Sequence, residues 1–322
     1  MKRIQLENRT DLKSEIPLKT PYCIFIDPSS ACNFKCKFCM NQKIKRPAIM
    51  RLDFFKKLID DLNEFDDPIK TIRLYGFGEP LLNTWFCDMV KYAKSSAKVL
   101  KVDTTSNASQ LVPHLNNEII NSGLDRINIS IEAMSTEKYR VFTRNNDVSF
   151  DAIVGNISNL FKNKKQLTIF VKIAGDYLTE EEKELFIKTF TPISDGCAIE
   201  HTMNCWKDFN VSGVNKEIGV YGQPREQVMV CPYVFYSFMI HADGIASSCF
   251  LDWNKKLVIG DAKNESLKDL WNGRLMNYLR TTMLLKKRKF HPICCDCDQL
   301  AAGMPVDLDD HAEEIKLRLK GK

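Results

Sequence analysis

The sequence predicts an α/β fold of parallel β/α units followed by a smaller cysteine-bearing region, and three observations point to it. Short segments rich in Ile and Val alternate with amphipathic stretches. The residues with chemical potential follow the strand-like segments, where parallel sheets gather their chemistry. Finally, 12 cysteines occur in a chain of 322 residues that carries no export signal. Hydrophobic residues make up 44% and charged residues 27%, which excludes wholesale disorder. Forty-six Lys and Arg against 41 Asp and Glu leave a net charge of +5, too small to argue for nucleic acid. No apolar run reaches the roughly 18 residues of a membrane span. The basic opening lacks the apolar core of a secretory signal. The chain is therefore read as cytoplasmic, where reducing conditions favour metal-binding or catalytic cysteines over disulfides.

The strand candidates are Tyr22–Asp27, Thr71–Tyr75, Val99–Thr104, Arg126–Ile131, Thr168–Ile173 and Ala198–Met203. Between them, Phe54, Phe55, Leu58, Ile59, Leu62 and Phe65 share one face at helical spacing, as do Phe150, Ile153, Val154, Ile157, Leu160 and Phe161. Thr179 followed by Glu182 reads as a capping box. Near residue 208 the rhythm breaks, and Gly213, Gly219, Gly222 and Pro224 suggest a linker. The expected organisation is an extension over 1–20, a β/α domain over 21–207, a linker over 208–230, a cysteine domain over 231–303 and a tail over 304–322. The tail turns from acidic to basic and reads as a terminal helix.

Cys32, Cys36 and Cys39 lie within one loop after the first strand candidate. Structural zinc wants four protein ligands, and neither His nor a fourth Cys is near. A [4Fe–4S] cluster held by three Cys keeps one iron open for substrate or cofactor. Zinc completed by a distant residue, or incidental buried cysteines, are the alternatives.

The Cys-x3-Cys-x-aromatic-Cys pattern, with Phe38 as the aromatic, resembles the signature of the radical SAM enzymes. Supporting features cover about the first 205 residues. Gly76-Phe77-Gly78-Glu79-Pro80 resembles the family's Gly-Gly-Glu-Pro segment, with Phe77 in place of the second glycine. By resemblance, Phe38, Gly76, Gly78, Glu79, Ser106, Asn107, Ser130, Glu132 and Arg144 contact S-adenosylmethionine (SAM). The resemblance also implies a partial (β/α)6 TIM-like barrel and reductive cleavage of SAM to a 5′-deoxyadenosyl radical. The cofactor carries the hard chemistry while the protein orients it and excludes water.

A second set of cysteines, Cys231, Cys249, Cys294, Cys295 and Cys297, lies beyond the linker, and Asp243-Gly244 reads as a hairpin turn. Four thiolates suit Zn²⁺ or a closed [4Fe–4S] cluster. This region, with its Leu267–Trp271 segment, resembles the SPASM/twitch extension of radical SAM enzymes. The resemblance implies a small C-terminal α+β iron–sulfur domain with one auxiliary [4Fe–4S] cluster on Cys231, Cys249, Cys294 and Cys297. Cys295 stands as the substitute for Cys294.

Cys23 and Cys87 read as small buried hydrophobes, and Cys197 flanks the sixth strand candidate. Cys205 is a candidate hydrogen-atom donor, with a buried linker thiol as the alternative. Glu200, His201, Trp206 and Asp252 are candidate substrate contacts or proton acceptors. The run Lys286-Lys287-Arg288-Lys289 reads as a solvated face. The resulting expectation is an oxidoreductase or epimerase acting on a sugar, aminocyclitol or sugar nucleotide, with a flavodoxin or ferredoxin as electron donor. Modification of a ribosomally made peptide is the alternative. About 20 residues precede the first strand candidate, so no leader-binding domain is expected there. A non-enzymatic metal-binding or RNA-binding module is a third reading.

Overall fold

The computed structural model describes residues 10–205, 209–211 and 213–320, so Trp206 lies outside the described residues. The chain opens with α1 (Leu12–Glu15), β1 (Cys23–Ile26), α2 (Leu52–Asp60), β2 (Thr71–Arg73), α3 (Phe86–Ser95) and β3 (Val102–Ser106). It continues with α4 (Pro113–Ser122), β4 (Arg126–Ile131), α5 (Thr136–Thr143), α6 (Phe150–Asn163), β5 (Thr168–Ala174), α7 (Glu180–Phe190) and β6 (Gly196–Glu200). Next come β7 (Ser237–Ile240), β8 (Ile245–Ser247), β9 (Val258–Asp261), α8 (Leu267–Asn272), α9 (Arg274–Leu284), α10 (Gln299–Ala302) and α11 (Ala312–Lys320). None of the described helices is long and apolar enough to cross a membrane.

The described strands form one open sheet in the order β6-β5-β4-β3-β2-β1-β7-β8-β9. β1 to β6 pair in parallel with their sequence neighbours, as β/α units require. This is the partial barrel expected from the sequence. The alternation in β4 shows how it is filled. Ile127, Ile129 and Ile131 are buried against the helices, while Arg126, Asn128 and Ser130 stand half-buried on the inner face. The capping box at α7 is present, with Thr179 and Glu182 each bonding the other's backbone N–H.

Two strands sit in different places from their expected positions. The strand expected over Val99–Thr104 begins at Val102, whose N–H donates to the Asp125 carboxylate at 2.7 Å. Val99 makes only an isolated bridge to Ile69. The strand expected over Ala198–Met203 instead spans Gly196–Glu200. Gly196 lies opposite Phe170, whose ring would come within 3.2 Å of a Cβ at that position. Beyond Glu200 the chain is turned aside by bonds from Thr202 to Asp176.

The cysteine region joins the same sheet. β7 pairs in parallel with β1, Cys23 opposite Ser237 and Ile26 opposite Ile240. β7 and β8 form the antiparallel hairpin expected around Asp243-Gly244. One apolar core therefore runs from Ile24 and Phe55 through Phe238 and Ile240 to Leu267, Leu270 and Trp271. Within the stretch expected as a linker, Phe209, Val211, Val228 and Val230 are buried. Ahead of β1, Leu12 and Ile16 pack in a cluster with Leu279, Met283 and Ile315 of the terminal helices.

Trp271 is fully buried, 5.8 Å from the Phe238 ring, and donates from Nε1 to the Leu18 carbonyl at 3.2 Å. Trp271→Ala is expected to lower the unfolding free energy in urea by about 3–5 kcal/mol. A loss below about 1 kcal/mol would contradict a shared core.

Candidate active site

The cysteine loop leaves β1 and lies across the carboxyl ends of the strands. Cys36 is buried, and Cys32 and Cys39 are half-buried. The Phe34 and Asn41 N–H groups donate to the Cys32 and Cys39 sulfurs at 3.4 Å each. Burial pushes the thiol of Cys32 up to about 12 and that of Cys39 up to about 11. Those amide bonds act the other way, favouring the thiolate. The three thiols would therefore ionise when a cation neutralises them.

Clamps hold the loop in place. Lys35 N–H donates to the Thr143 carbonyl at 2.7 Å, at the end of α5. Asn41 is buried and its amide donates to the carbonyls of Ser30 at 2.8 Å and Phe77 at 2.6 Å. The loop thus lies on the glycine-bearing turn after β2. A Cβ on Gly78 would stand 2.3 Å from the Ser29 and Ala31 carbonyl oxygens, and one on Gly76 would stand 2.6 Å from the Asp27 carboxyl carbon. Both positions require glycine for close approach, not for backbone conformation.

Glu79 is buried and its carboxylate is engaged within the protein. It accepts from Leu81 N–H at 3.0 Å, Ser106 Oγ at 2.8 Å and Asn107 N–H at 2.7 Å. Burial pushes Glu79 up to about 7 against these bonds. Three expected cofactor contacts, Glu79, Ser106 and Asn107, are therefore brought together and lock the end of β2 to that of β3. The Asn107 amide also reaches Asn33 at 3.1 Å and the Cys32 sulfur at 3.8 Å. Glu132, just past β4, lies against Cys36 and is raised to about 7 by burial. One of its carboxylate oxygens is buried without a partner. Arg144, the residue after the Thr143 carbonyl that holds the loop, ends α5 with a left-handed backbone (φ 53°) and is exposed.

Phe38 packs in an aromatic group with Phe142 and Tyr177, its ring stacked 5.8 Å from that of Tyr177. Below it, the inner face of the sheet is polar. Arg73 donates to Tyr75 Oη at 2.7 Å and lies 3.7 Å from Asp103. Arg126 bonds Asn128 at 2.8 Å, and Lys172 pairs with Glu200 at 3.0 Å. Ser130 lies opposite Lys172 in register. His201 pairs with Asp176 at 2.6 Å. Burial would raise the Asp176 carboxyl, but bonds from Thr202 and His201 outweigh it and hold the group low.

Cys231, Cys249, Cys294 and Cys297 line one apolar cavity beside Tyr233, Leu279 and Arg288. Burial raises each of these thiols. Cys295 does not line this cavity; its sulfur contacts the Pro292 carbonyl at 3.8 Å. Among the described residues, no three His, Cys, Asp or Glu side chains stand close enough together to hold a single ion. Cys205 lines an adjoining cavity with Cys249, Cys294 and Cys297. Asp252 is buried, and its oxygens accept from Ser247, Lys256 and Leu257. Arg288 corrects the solvated-face reading of the Lys286–Lys289 run. It is 6% exposed and donates to the carbonyls of Cys294 at 2.9 Å and Val228 at 3.2 Å.

The sequence reading missed Asn41, Asp27 and the Gly175-Asp176-Tyr177 turn. Gly175 carried a signal, being a glycine directly after a strand, and a Cβ there would meet the Ile199 side chain at 2.3 Å. Asp27 ends the inner row of β1. It is fully buried, and neither carboxylate oxygen has a partner in hydrogen-bonding geometry. Burial pushes it up to about 7, although the nearby amides of Phe77 and Ser29 pull the other way. A carboxyl raised in the folded state binds more protons than its unfolded counterpart between about pH 4 and 7, so it lowers stability as pH rises through that window. Asp27→Asn is expected to reduce the loss of unfolding free energy between pH 4 and pH 8 by on the order of 3 kcal/mol. An unchanged pH profile of urea midpoints would contradict the assignment.

Residues 26–189, half of the chain, match the Radical SAM superfamily, and residues 231–298 match the iron–sulfur cluster-binding SPASM domain. GTP 3',8-cyclase of Clostridium perfringens (strain SM101 / Type A) is 26% identical over 164 residues, 50% of this chain and 49% of that protein. The tungsten-containing aldehyde ferredoxin oxidoreductase cofactor-modifying protein of Pyrococcus furiosus is 29% identical over 114 residues, 35% of this chain and 31% of that protein. The chain spans about half the length, or less, of these curated relatives. Among solved structures, BtrN in complex with AdoMet and 2-DOIA superposes with a TM-score of 0.59 at 15% identity, covering 89% of this chain and 97% of that one. Streptococcus suis SuiB bound to precursor peptide SuiA gives a TM-score of 0.64 at 12% identity, covering 84% and 69%. At those identities the likeness is one of fold. The superfamily match over half of the chain, falling on the cysteine loop and the strand ends built around it, carries the conclusion that the protein belongs to the radical SAM superfamily.

Proposed function

We propose that this radical SAM enzyme removes a hydrogen atom from a carbohydrate-type alcohol, with dehydrogenation or epimerisation as the outcome. The observation that carries this reading is the inner face of the sheet. It offers Arg73, Tyr75, Asn128, Ser130, Lys172 and Glu200 as donors and acceptors suited to a hydroxylated molecule. In support, BtrN, a structure in complex with AdoMet and 2-DOIA, shares its fold with this chain over 97% of its own length.

The residues present fit the cofactors of the family. Cys32, Cys36 and Cys39 would hold one [4Fe–4S] cluster, with amide donors already placed on two sulfurs. Cys231, Cys249, Cys294 and Cys297 would hold the auxiliary cluster, with Arg288 close to their cavity. When bound, the cluster and SAM would supply a 5′-deoxyadenosyl radical for hydrogen abstraction, and the auxiliary cluster would offer an electron acceptor for the dehydrogenation outcome. The protein contributes the rest. Phe38 with Tyr177 and Phe142 closes an apolar side of the site and limits water. The unpartnered Glu132 oxygen beside Cys36 is available to a polar group of SAM. Glu200, held by Lys172, is the proton acceptor placed on the inner face. An external flavodoxin or ferredoxin would supply the electron.

Two substitutions test this. Cys36→Ala is expected to abolish 5′-deoxyadenosine formation, and undiminished SAM cleavage would defeat the loop assignment. Wild-type protein reconstituted anaerobically should hold about eight irons per chain and Cys249→Ala about four. The Cys249→Ala variant should still cleave SAM but release no oxidised product from a panel of aminocyclitols and sugar nucleotides. Turnover on a ribosomal precursor peptide, with none on that panel, would favour peptide modification.

A further inference from the structure

A buried charge stands beside the auxiliary cysteines. Arg288 opens a short turn after α9 and is 6% exposed. Its Nη1 donates to the carbonyl of Cys294 at 2.9 Å and its Nη2 to that of Val228 at 3.2 Å. One bond therefore falls on a cysteine of the cavity, and the other on the chain just ahead of Cys231. Both go to neutral carbonyls, not to a carboxylate. They fix the guanidinium in place, so that it acts on the cavity through its charge. A guanidinium buried against carbonyls alone is costly, because its desolvation lacks a counter-charge.

Among the described residues that line the cavity of Cys231, Cys249, Cys294 and Cys297, Arg288 is the one charged side chain. Asp298, the neighbour of Cys297, is already paired with Arg225. Burial raises the thiols of Cys231, Cys294 and Cys297, and the Arg288 charge works against that rise on all three. Four thiolates around a [4Fe–4S] core make an anionic centre, and reduction adds one more negative charge to it. A cation held nearby in a low-dielectric setting therefore stabilises the reduced form more than the oxidised one.

We propose that Arg288 is the counter-charge of the auxiliary cluster and holds its reduction potential up, poising it to accept an electron. This role rests on the auxiliary-cluster reading above and is independent of the substrate. It sets Arg288 apart from the rest of its run. Lys286, Lys287 and Lys289 are exposed, so water and salt screen their charges from the cavity.

The test is a potentiometric titration of the full-length protein, reconstituted anaerobically and followed by electron paramagnetic resonance. The auxiliary signal is the one that Cys249→Ala lacks. Arg288→Gln is expected to shift the one-electron equilibrium of that signal at least about tenfold toward the oxidised form, a midpoint lower by about 59 mV. Arg288→Lys keeps the charge and should stay close to the unaltered protein, as should Lys287→Gln, which removes an exposed charge from the same run. If Arg288→Gln takes up only about four irons, restored loading in Arg288→Lys supports the counter-charge role. An unchanged midpoint in Arg288→Gln overturns the proposal, as does an equal shift in Lys287→Gln. Equal losses in Arg288→Gln and Arg288→Lys, whether of potential or of iron, also overturn it, because they follow the carbonyl bonds and not the charge. About four irons in the unaltered protein is a separate result, which overturns the auxiliary-cluster reading and this role with it.

Discussion

Everything at the active end of this protein depends on the cysteine loop being pressed onto the turn that follows β2. At Gly78 a single added methyl would collide with the backbone of the Ser29–Ala31 segment, and Asn41 bridges the two with hydrogen bonds to Ser30 and Phe77. Held this way, three thiols that burial alone would keep protonated lie on one loop at the carboxyl ends of the strands. The same pressing fixes what lies beside them. Glu79 ties its turn to the end of β3, and Asn107 extends that tie to Cys32. A cofactor bound here meets a surface already organised, so little reorganisation accompanies the chemistry.

The second constraint is the pairing of β7 with β1. It makes the cysteine region an extension of the barrel sheet and places its thiols at a fixed position relative to the polar inner face. The electron transfer proposed above for the auxiliary cluster would depend on such fixed placement. Cys205 fits this picture, since the chain leaving β6 delivers it to the cavity wall shared with Cys249, Cys294 and Cys297. Arg288 reaches the same neighbourhood from the other side, its charge buried beside the Cys294 carbonyl. In a low-dielectric setting one such cation influences nearby thiolates strongly.

The fold class and the cysteine loop were legible because both rest on local patterns. The strand order needs only alternation, and three thiols within one loop need only spacing. β4 was located residue for residue because Ile127, Ile129 and Ile131 alternate with polar residues. β6 was not, because its ends are set by Asp195 and Asp176, partners that lie outside the strand itself. Glu79 was recognised as part of the site, but its engagement with Ser106 and Asn107 joins residues far apart in sequence. Asp27 and Asn41 gave no signal at all, since an Asp at a strand end and an Asn in a loop are ordinary until burial is known. Arg288 misled for a related reason, because a basic run reads as solvated unless one member is seen to turn inward.

The central claim is that the three-cysteine loop holds a [4Fe–4S] cluster with one iron open to SAM. Electron paramagnetic resonance of the anaerobically purified, chemically reduced protein, recorded with and without SAM, tests it most directly. The account predicts a reduced-cluster signal whose g values shift when SAM is added. A signal indifferent to SAM, or a loop carrying zinc and giving no signal, would contradict it.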